Sequence, residues 1–122
     1  MHEFGVTQAA LEAALARAEE ACAAQITDVH LAIGTVSSIE PNSIRLYWNE
    51  IAEGTIAEDA MLHFRRAPSE CYCADCRHQF VVEAGLLPCP ACGREQVRAN
   101  DDEYLGLEAI DVEKLPAESM HG

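Results

Sequence analysis

Five of the six cysteines fall between Cys71 and Cys92. Four of them stand as two C-x-x-C pairs, Cys73-Ala74-Asp75-Cys76 and Cys89-Pro90-Ala91-Cys92, with twelve residues between the pairs. One such pair lets a single tight turn offer two thiolates to one ion, and a hairpin-length connection brings two turns face to face as a tetrahedral site. Four thiolates with no oxygen donor suit zinc, or iron in a rubredoxin-like site. A closed four-cysteine site leaves no open position for a reaction, so its role is structural, and ion binding and folding of the segment become one event. Gly93, just after the second knuckle, supplies the backbone freedom such turns need. A catalytic redox C-x-x-C stands once, at a helix start in a βαβ setting, and that context is missing here. Cys71 breaks the two-residue spacing and reads as a bystander or a group behind the ligands, with ligand exchange left open. His78, two residues past Cys76, reads as a solvated imidazole or as a pH-responsive neighbour of the site.

The second candidate is the start of the chain, Met1-His2-Glu3. A bulky second residue leaves Met1 in place, so a free amine, backbone amides and the His2 imidazole can close fused chelate rings around one cation. Nitrogen-rich, roughly planar ligation favours Ni(II) or Cu(II) over zinc. Glu3 adds a carboxylate or tunes the imidazole from behind it. Taken by themselves, the same three residues also suit a frayed chain end.

The elements that must position these groups are those of one small domain: 122 residues with 49% hydrophobic content bury a modest core. No apolar run reaches the roughly 18 residues of a membrane span, and no secretory signal pattern opens the chain, so a cytoplasmic location is expected. The formal net charge of −13 excludes a cationic footprint for nucleic acid and points toward cations or a basic partner surface. Thr7 to Gln25 carries nine alanines, with Leu11, Leu15, Ala18 and Cys22 on one stripe, and predicts an amphipathic helix with Cys22 as a small core residue. From Ile26 to Ile33 the pattern alternates, Val29, Leu31 and Ile33 against Asp28, His30 and Ala32, and predicts a half-buried strand ending at Gly34. Pro41 opens a second helix to about Glu53, with Ile44, Tyr47, Trp48 and Ile51 at helical spacing. Met61 to Arg66 predicts a strand stopped by Pro68. Tyr104 to Glu113 predicts another, whose Leu105 and Leu107 lie out of phase with Ile110 and Val112 unless a bulge intervenes.

The expected fold is therefore α+β: a small sheet packed by two helices, with a four-cysteine, zinc-ribbon-like module inserted between its strands. The body covers residues 1–68 plus about 103–113. The module covers about 69–102 and is too short to hold itself together without a metal. A tail, 114–122, is expected to fray.

These motifs together resemble the HypA/HybF family of nickel-incorporation metallochaperones for hydrogenase maturation. The resemblance rests on Met1-His2-Glu3 before a long helix, Val29-His30-Leu31-Ala32-Ile33-Gly34, Glu53-Gly54-Thr55, and the run Glu70-Cys71-Tyr72-Cys73-Ala74-Asp75-Cys76. The knuckle Cys89-Pro90-Ala91-Cys92-Gly93 and the closing strand Leu105 to Glu113 complete it, over about residues 1–113. It implies Ni(II) as cargo held by His2 with backbone nitrogens near Met1 and with Glu3 alongside, and Glu40 as an acidic neighbour. It implies structural Zn(II) on Cys73, Cys76, Cys89 and Cys92. It also implies work with the GTPase HypB and delivery to the large-subunit precursor of a nickel–iron hydrogenase; the sequence leaves monomer and homodimer open. Some relatives flank both zinc knuckles with histidines; His78 matches the first, while Gly93 stands in the second place.

The leading expectation is a metallochaperone and not an enzyme, since no His-Glu-x-x-His pair, nucleophile elbow or phosphate loop is found. The alternatives are a zinc-ribbon protein-interaction module with no second metal, and an iron-loaded redox carrier, which its colour would reveal.

Overall fold

The computed structural model describes residues 2–114, for His2 the backbone alone. The chain runs α1 (His2–Glu20), β1 (Ala23–Gly34), α2 (Pro41–Ile51), β2 (Met61–Ala67), β3 (Ser69–Cys73), β4 (Gln79–Val82), β5 (Val97–Ala99) and β6 (Leu105–Lys114). The expected tail lies outside the described residues except for Lys114, which ends β6.

Two three-stranded sheets result, ordered β2-β1-β6 and β4-β3-β5. In the first, β1 is central, parallel to β2 through the α2 crossover and antiparallel to β6. Ala10, Leu11, Ala14 and Ala18 of α1, Ile44, Trp48 and Ala52 of α2, and Ile26, Val29, Leu31 and Ile33 of β1 form one buried cluster. Both helices thus cover the same sheet face, and the alanines of α1 let its backbone come close. The only tryptophan, Trp48, is 1% exposed, and its indole N–H donates to the Ala57 carbonyl, which pays its polar atom's desolvation.

The bulge expected in the last strand is present. Leu107 pairs with Leu31 and Ala109 with His30, so Glu108 is the extra residue. It brings Leu105 and Leu107 onto the same core as Ile110 and Val112. Arg65 holds Glu108 on the outward face by a two-point guanidinium–carboxylate contact. A matching irregularity on β1, between Ile26 and Asp28, keeps Ile26 and Val29 both inside.

Two expectations about the first helix are corrected. It ends at Glu20, not near Gln25, because Ala23 already pairs with Lys114 in the sheet. Cys22 is exposed rather than a core residue. It lies in the turn between helix and strand with a left-handed φ of 54°, a conformation that ends the helical stripe before it reaches Cys22.

The second sheet surrounds its own small cluster of Cys71, Cys73, Val82, Cys89 and Val97, joined by Phe80, Ala99 and Val36. Val36 comes from the segment after β1, where its N–H donates to Ser69 Oγ. A Cβ at Gly34 would fall 2.7 Å from that hydroxyl oxygen, so the two sheets meet where only glycine fits. The backbone N–H of Ser38 donates to the Asp102 carbonyl at 2.7 Å, tying the same segment to the chain returning toward β6. No helix among the described residues is long and apolar enough to cross a membrane.

Candidate metal centre

The two knuckles are built alike. In the first, the Arg77 N–H donates to the Cys73 carbonyl and the Cys73 N–H to the His78 carbonyl; in the second, Gly93 donates to Cys89 and Cys89 to Arg94. Each turn closes on a left-handed residue, Arg77 at φ 65° and Gly93 at φ 76°, so glycine is used in one knuckle and an ordinary side chain bears the strain in the other. Backbone N–H groups also point at sulfur: Cys76 N to Cys73 Sγ at 3.5 Å and Ala91 N to Cys89 Sγ at 3.4 Å. An Asp75–Arg94 ion pair at 3.8 Å joins one knuckle to the other. Sequence reasoning passed over it, although an acid in one knuckle and a base just past its counterpart was the available signal.

The four sulfurs converge. Cys73 Sγ lies 3.7 Å from Cys92 Sγ, Cys76 Sγ lies 3.6 Å from Cys89 Sγ, and all four fall within 4.8 Å of one another. A tetrahedron of thiolates with metal–sulfur bonds of about 2.3 Å has edges of about 3.8 Å. The donor set therefore fits a tetrahedral thiophilic ion such as zinc without rearrangement. Cys73 and Cys89 are buried and Cys76 and Cys92 exposed.

Their acidities are pulled apart by this crowding. The Cys73 thiol is lowered, first by the backbone hydrogen bond from Cys76. Cys89 meets a desolvation that raises it, but the N–H groups of Cys92 and Ala91 and the neighbouring sulfurs bring it down to about 7. The backbone N–H of His78 pulls Cys76 down, yet desolvation and the surrounding sulfurs push it up to about 12. Cys92 is also raised: the Arg94 N–H pulls it down, but desolvation and the sulfurs of Cys73 and Cys89 outweigh that pull. Two thiols yield their protons readily and two resist, because four adjacent negative charges repel. A divalent cation at the centre would remove that conflict, and its binding would be coupled to thiol ionisation.

Cys71 is not among the converging thiols. It is buried in the apolar cluster of the second sheet, its thiol faces the Ser69 carbonyl, and burial pushes its pKa up. His78 is exposed and stacks on Phe80, with ring centroids 5.7 Å apart.

Met1 and the His2 side chain lie outside the described residues. Glu3 is described: its carboxylate accepts the backbone N–H of Glu40 at 2.8 Å. Glu40 is the N-cap of α2 and makes no side-chain cap of its own. Glu3 thus takes, from a different helix, the place of the acidic residue that reaches back to the N-cap N–H in a capping box. One residue on, Phe4 meets Tyr47 of α2 edge to face, centroids 5.5 Å apart. The start of α1 is pinned to the start of α2, and Glu3 and Glu40, far apart in sequence, become neighbours.

Comparison with known proteins agrees with this architecture. The family described as "Hydrogenase/urease nickel incorporation, metallochaperone, hypA" matches residues 1–112. The hydrogenase maturation factor HypA of Prosthecochloris aestuarii is 33% identical over 113 residues, covering 93% of this chain and all of that protein. The hydrogenase maturation factor HybF of Escherichia coli O157:H7 is 31% identical with the same coverage. The solution structure of the Ni metallochaperone HypA from Helicobacter pylori superposes with a TM-score of 0.69, covering 94% of this chain and all of that one at 22% identity. A second HypA solution structure gives 0.61 at 23% identity, covering 92% of this chain and 96% of that one.

Proposed function

This chain belongs to the HypA family of nickel-incorporation metallochaperones, maturation factors rather than enzymes, and on that premise we propose that it binds Ni(II) at its amino terminus and hands the ion on during nickel–iron hydrogenase maturation. Met1 and His2 supply nitrogens, Glu3 lies alongside, and Glu40 is the acidic neighbour. Residues 1–68 with about 103–113 form the nickel-binding body. Residues 69–102 form a module that Zn(II) on Cys73, Cys76, Cys89 and Cys92 holds together, with Cys71 and His78 outside the ligand set. The partners are the GTPase HypB and the large-subunit precursor of the hydrogenase, in the cytoplasm.

The observation that carries the reading is the Glu3 contact to the backbone of Glu40. It anchors Glu3, the residue next in sequence to the proposed nitrogen donors, on the folded body and pairs it with the backbone of Glu40. Few ligands at one end of a chain favour exchange over permanent retention, as a courier requires. When bound, zinc supplies a fixed tetrahedral charge that ties the two knuckles together; the chain supplies the sulfurs, the N–H bonds to them and the Asp75–Arg94 link.

The test is a Ni(II) titration of zinc-loaded protein with its native terminus, of His2→Ala, and of a form extended before Met1. Both altered forms are expected to lose affinity by tenfold or more. Equal affinity in all three refutes the amino-terminal site, and no nickel uptake by any of them favours the zinc-ribbon interaction module without a second metal.

A further inference from the structure

The outward face of the β2-β1-β6 sheet carries a group of side chains that the proposed function does not use. His30 and His63 are register partners on the parallel strands β1 and β2, and their rings stack 4.8 Å apart at 15°. His63 Nε2 lies 2.7 Å from Asp28 Oδ1, and His30 Nε2 lies 2.8 Å from Asp111 Oδ2. The histidine side chains are 42% and 40% exposed. From these contacts we propose that His30 and His63 form a second site for a divalent transition-metal ion, with Asp28 and Asp111 holding the two rings in ligating form.

The chemistry follows from the hydrogen bonds. A carboxylate that accepts the Nε2–H of a neutral imidazole selects the tautomer whose Nδ1 carries the free lone pair. A carboxylate behind the ring is also the usual support of a metal-bound histidine, since it fixes the ring and raises its basicity. Both rings have this support, and they reach it independently, one from β1 and the other from β6. Two imidazoles on adjacent positions of one ion need nitrogens about 3 Å apart, closer than the present ring spacing. Each lone pair lies in its ring plane, so sharing one ion requires the two half-exposed rings to turn out of their near-parallel stack.

Two imidazole nitrogens with water completing the shell suit Ni(II), Cu(II) or Zn(II) and discriminate against Mg(II) and Ca(II). The site is open rather than a closed cage: among the described residues, only the four cysteines gather three or more donor atoms within 4.8 Å. Its charge favours a cation. Asp28 and Asp111 face the rings, while the Arg65 guanidinium is taken up by Glu108 and the Arg17 guanidinium by the Glu108 and Leu107 carbonyls. The inference does not depend on the amino-terminal site.

The experiment adds Ni(II) to the zinc-loaded full-length His2→Ala protein, following imidazole resonances by NMR, heat by calorimetry and zinc release with a colorimetric chelator. The expected result is early paramagnetic broadening of the His30 and His63 rings, before His78 and His121, with zinc retained. Adding His30→Gln and His63→Gln is expected to weaken binding tenfold or more at unchanged circular dichroism. Broadening of all four rings together, a smaller loss in the double variant, or nickel uptake matched by zinc release overturns the site. The broadening pattern needs no variant at the histidines, so it decides the question even where the double variant folds poorly.

Discussion

Replacing Glu3 by alanine removes the acceptor that serves the N-cap of α2 and leaves the Glu40 N–H without a protein partner. A hydrogen bond of this kind, partly open to water, contributes about 1 kcal/mol, and the loss of a carboxylate at a helix start adds a few tenths more. The urea dependence of stability for a chain this size is about 2 kcal/mol per molar. The unfolding midpoint of Glu3→Ala should therefore fall by about 0.5 M. Trp48, the only tryptophan, lies on α2 at 1% exposure, so its fluorescence reports the element being uncapped. Glu3→Gln keeps an oxygen acceptor and loses only the charge, and should lose less than half as much. The measurement is made on zinc-saturated, nickel-free protein, which separates capping from any role of Glu3 toward nickel. Coincident transitions for wild type and Glu3→Ala would refute the reasoning, and Gln as damaging as Ala would mean that charge, not the acceptor, matters.

Dialysis against a strong chelator is expected to remove one zinc per chain and to collapse the NMR dispersion of residues 69–100, while Trp48 emission stays as it was. Cys71→Ala, by contrast, should keep one metal per chain by elemental analysis, because that thiol points into the apolar cluster. Deleting Glu108 should be tolerated, since Leu107 and Ala109 then pair in register with Leu31 and His30 and every core residue keeps its face. Inserting one alanine after Ala109 should instead cost about 3 kcal/mol or more, because one pair of apolar residues must turn to solvent; thermal melts distinguish the two. Stability should also depend on acid pH in a defined direction. His63, then Thr27, hold the Asp28 carboxyl below its usual range, and Arg65 does the same for Glu108. A pKa lowered by folding contributes stability that is present above the ordinary carboxylate pKa and is lost as pH falls through the folded value. Asp28→Asn and Glu108→Gln should melt below wild type at pH 6 and together with it near pH 3; a constant gap contradicts the assignment.

The two cysteine knuckles were legible because their chemistry is local: a two-residue spacing dictates a turn with two sulfurs whatever surrounds it. The α+β class and the bulge in β6 were legible for a similar reason, since apolar spacing states which side chains need the same face, and Leu105 and Leu107 clashed in phase with Ile110 and Val112. The end of α1 was not. Ala21 to Gln25 favours a helix by propensity, and only pairing of Ala23 with Lys114 across the sheet pulls it into a strand.

The sequence by itself determined the four sulfurs, the helical and strand-like stretches, and the −13 charge that argues against nucleic acid. Tertiary structure decided what depends on partners distant in the chain. It set Glu3 against Glu40, turned Cys71 away from the other thiols, left Cys22 in an exposed turn, and placed His30 beside His63 on the open sheet face. Each of these is a contact between strands or helices with no fixed spacing. The free energy that selects it comes from burying the shared core, to which no single segment's pattern refers.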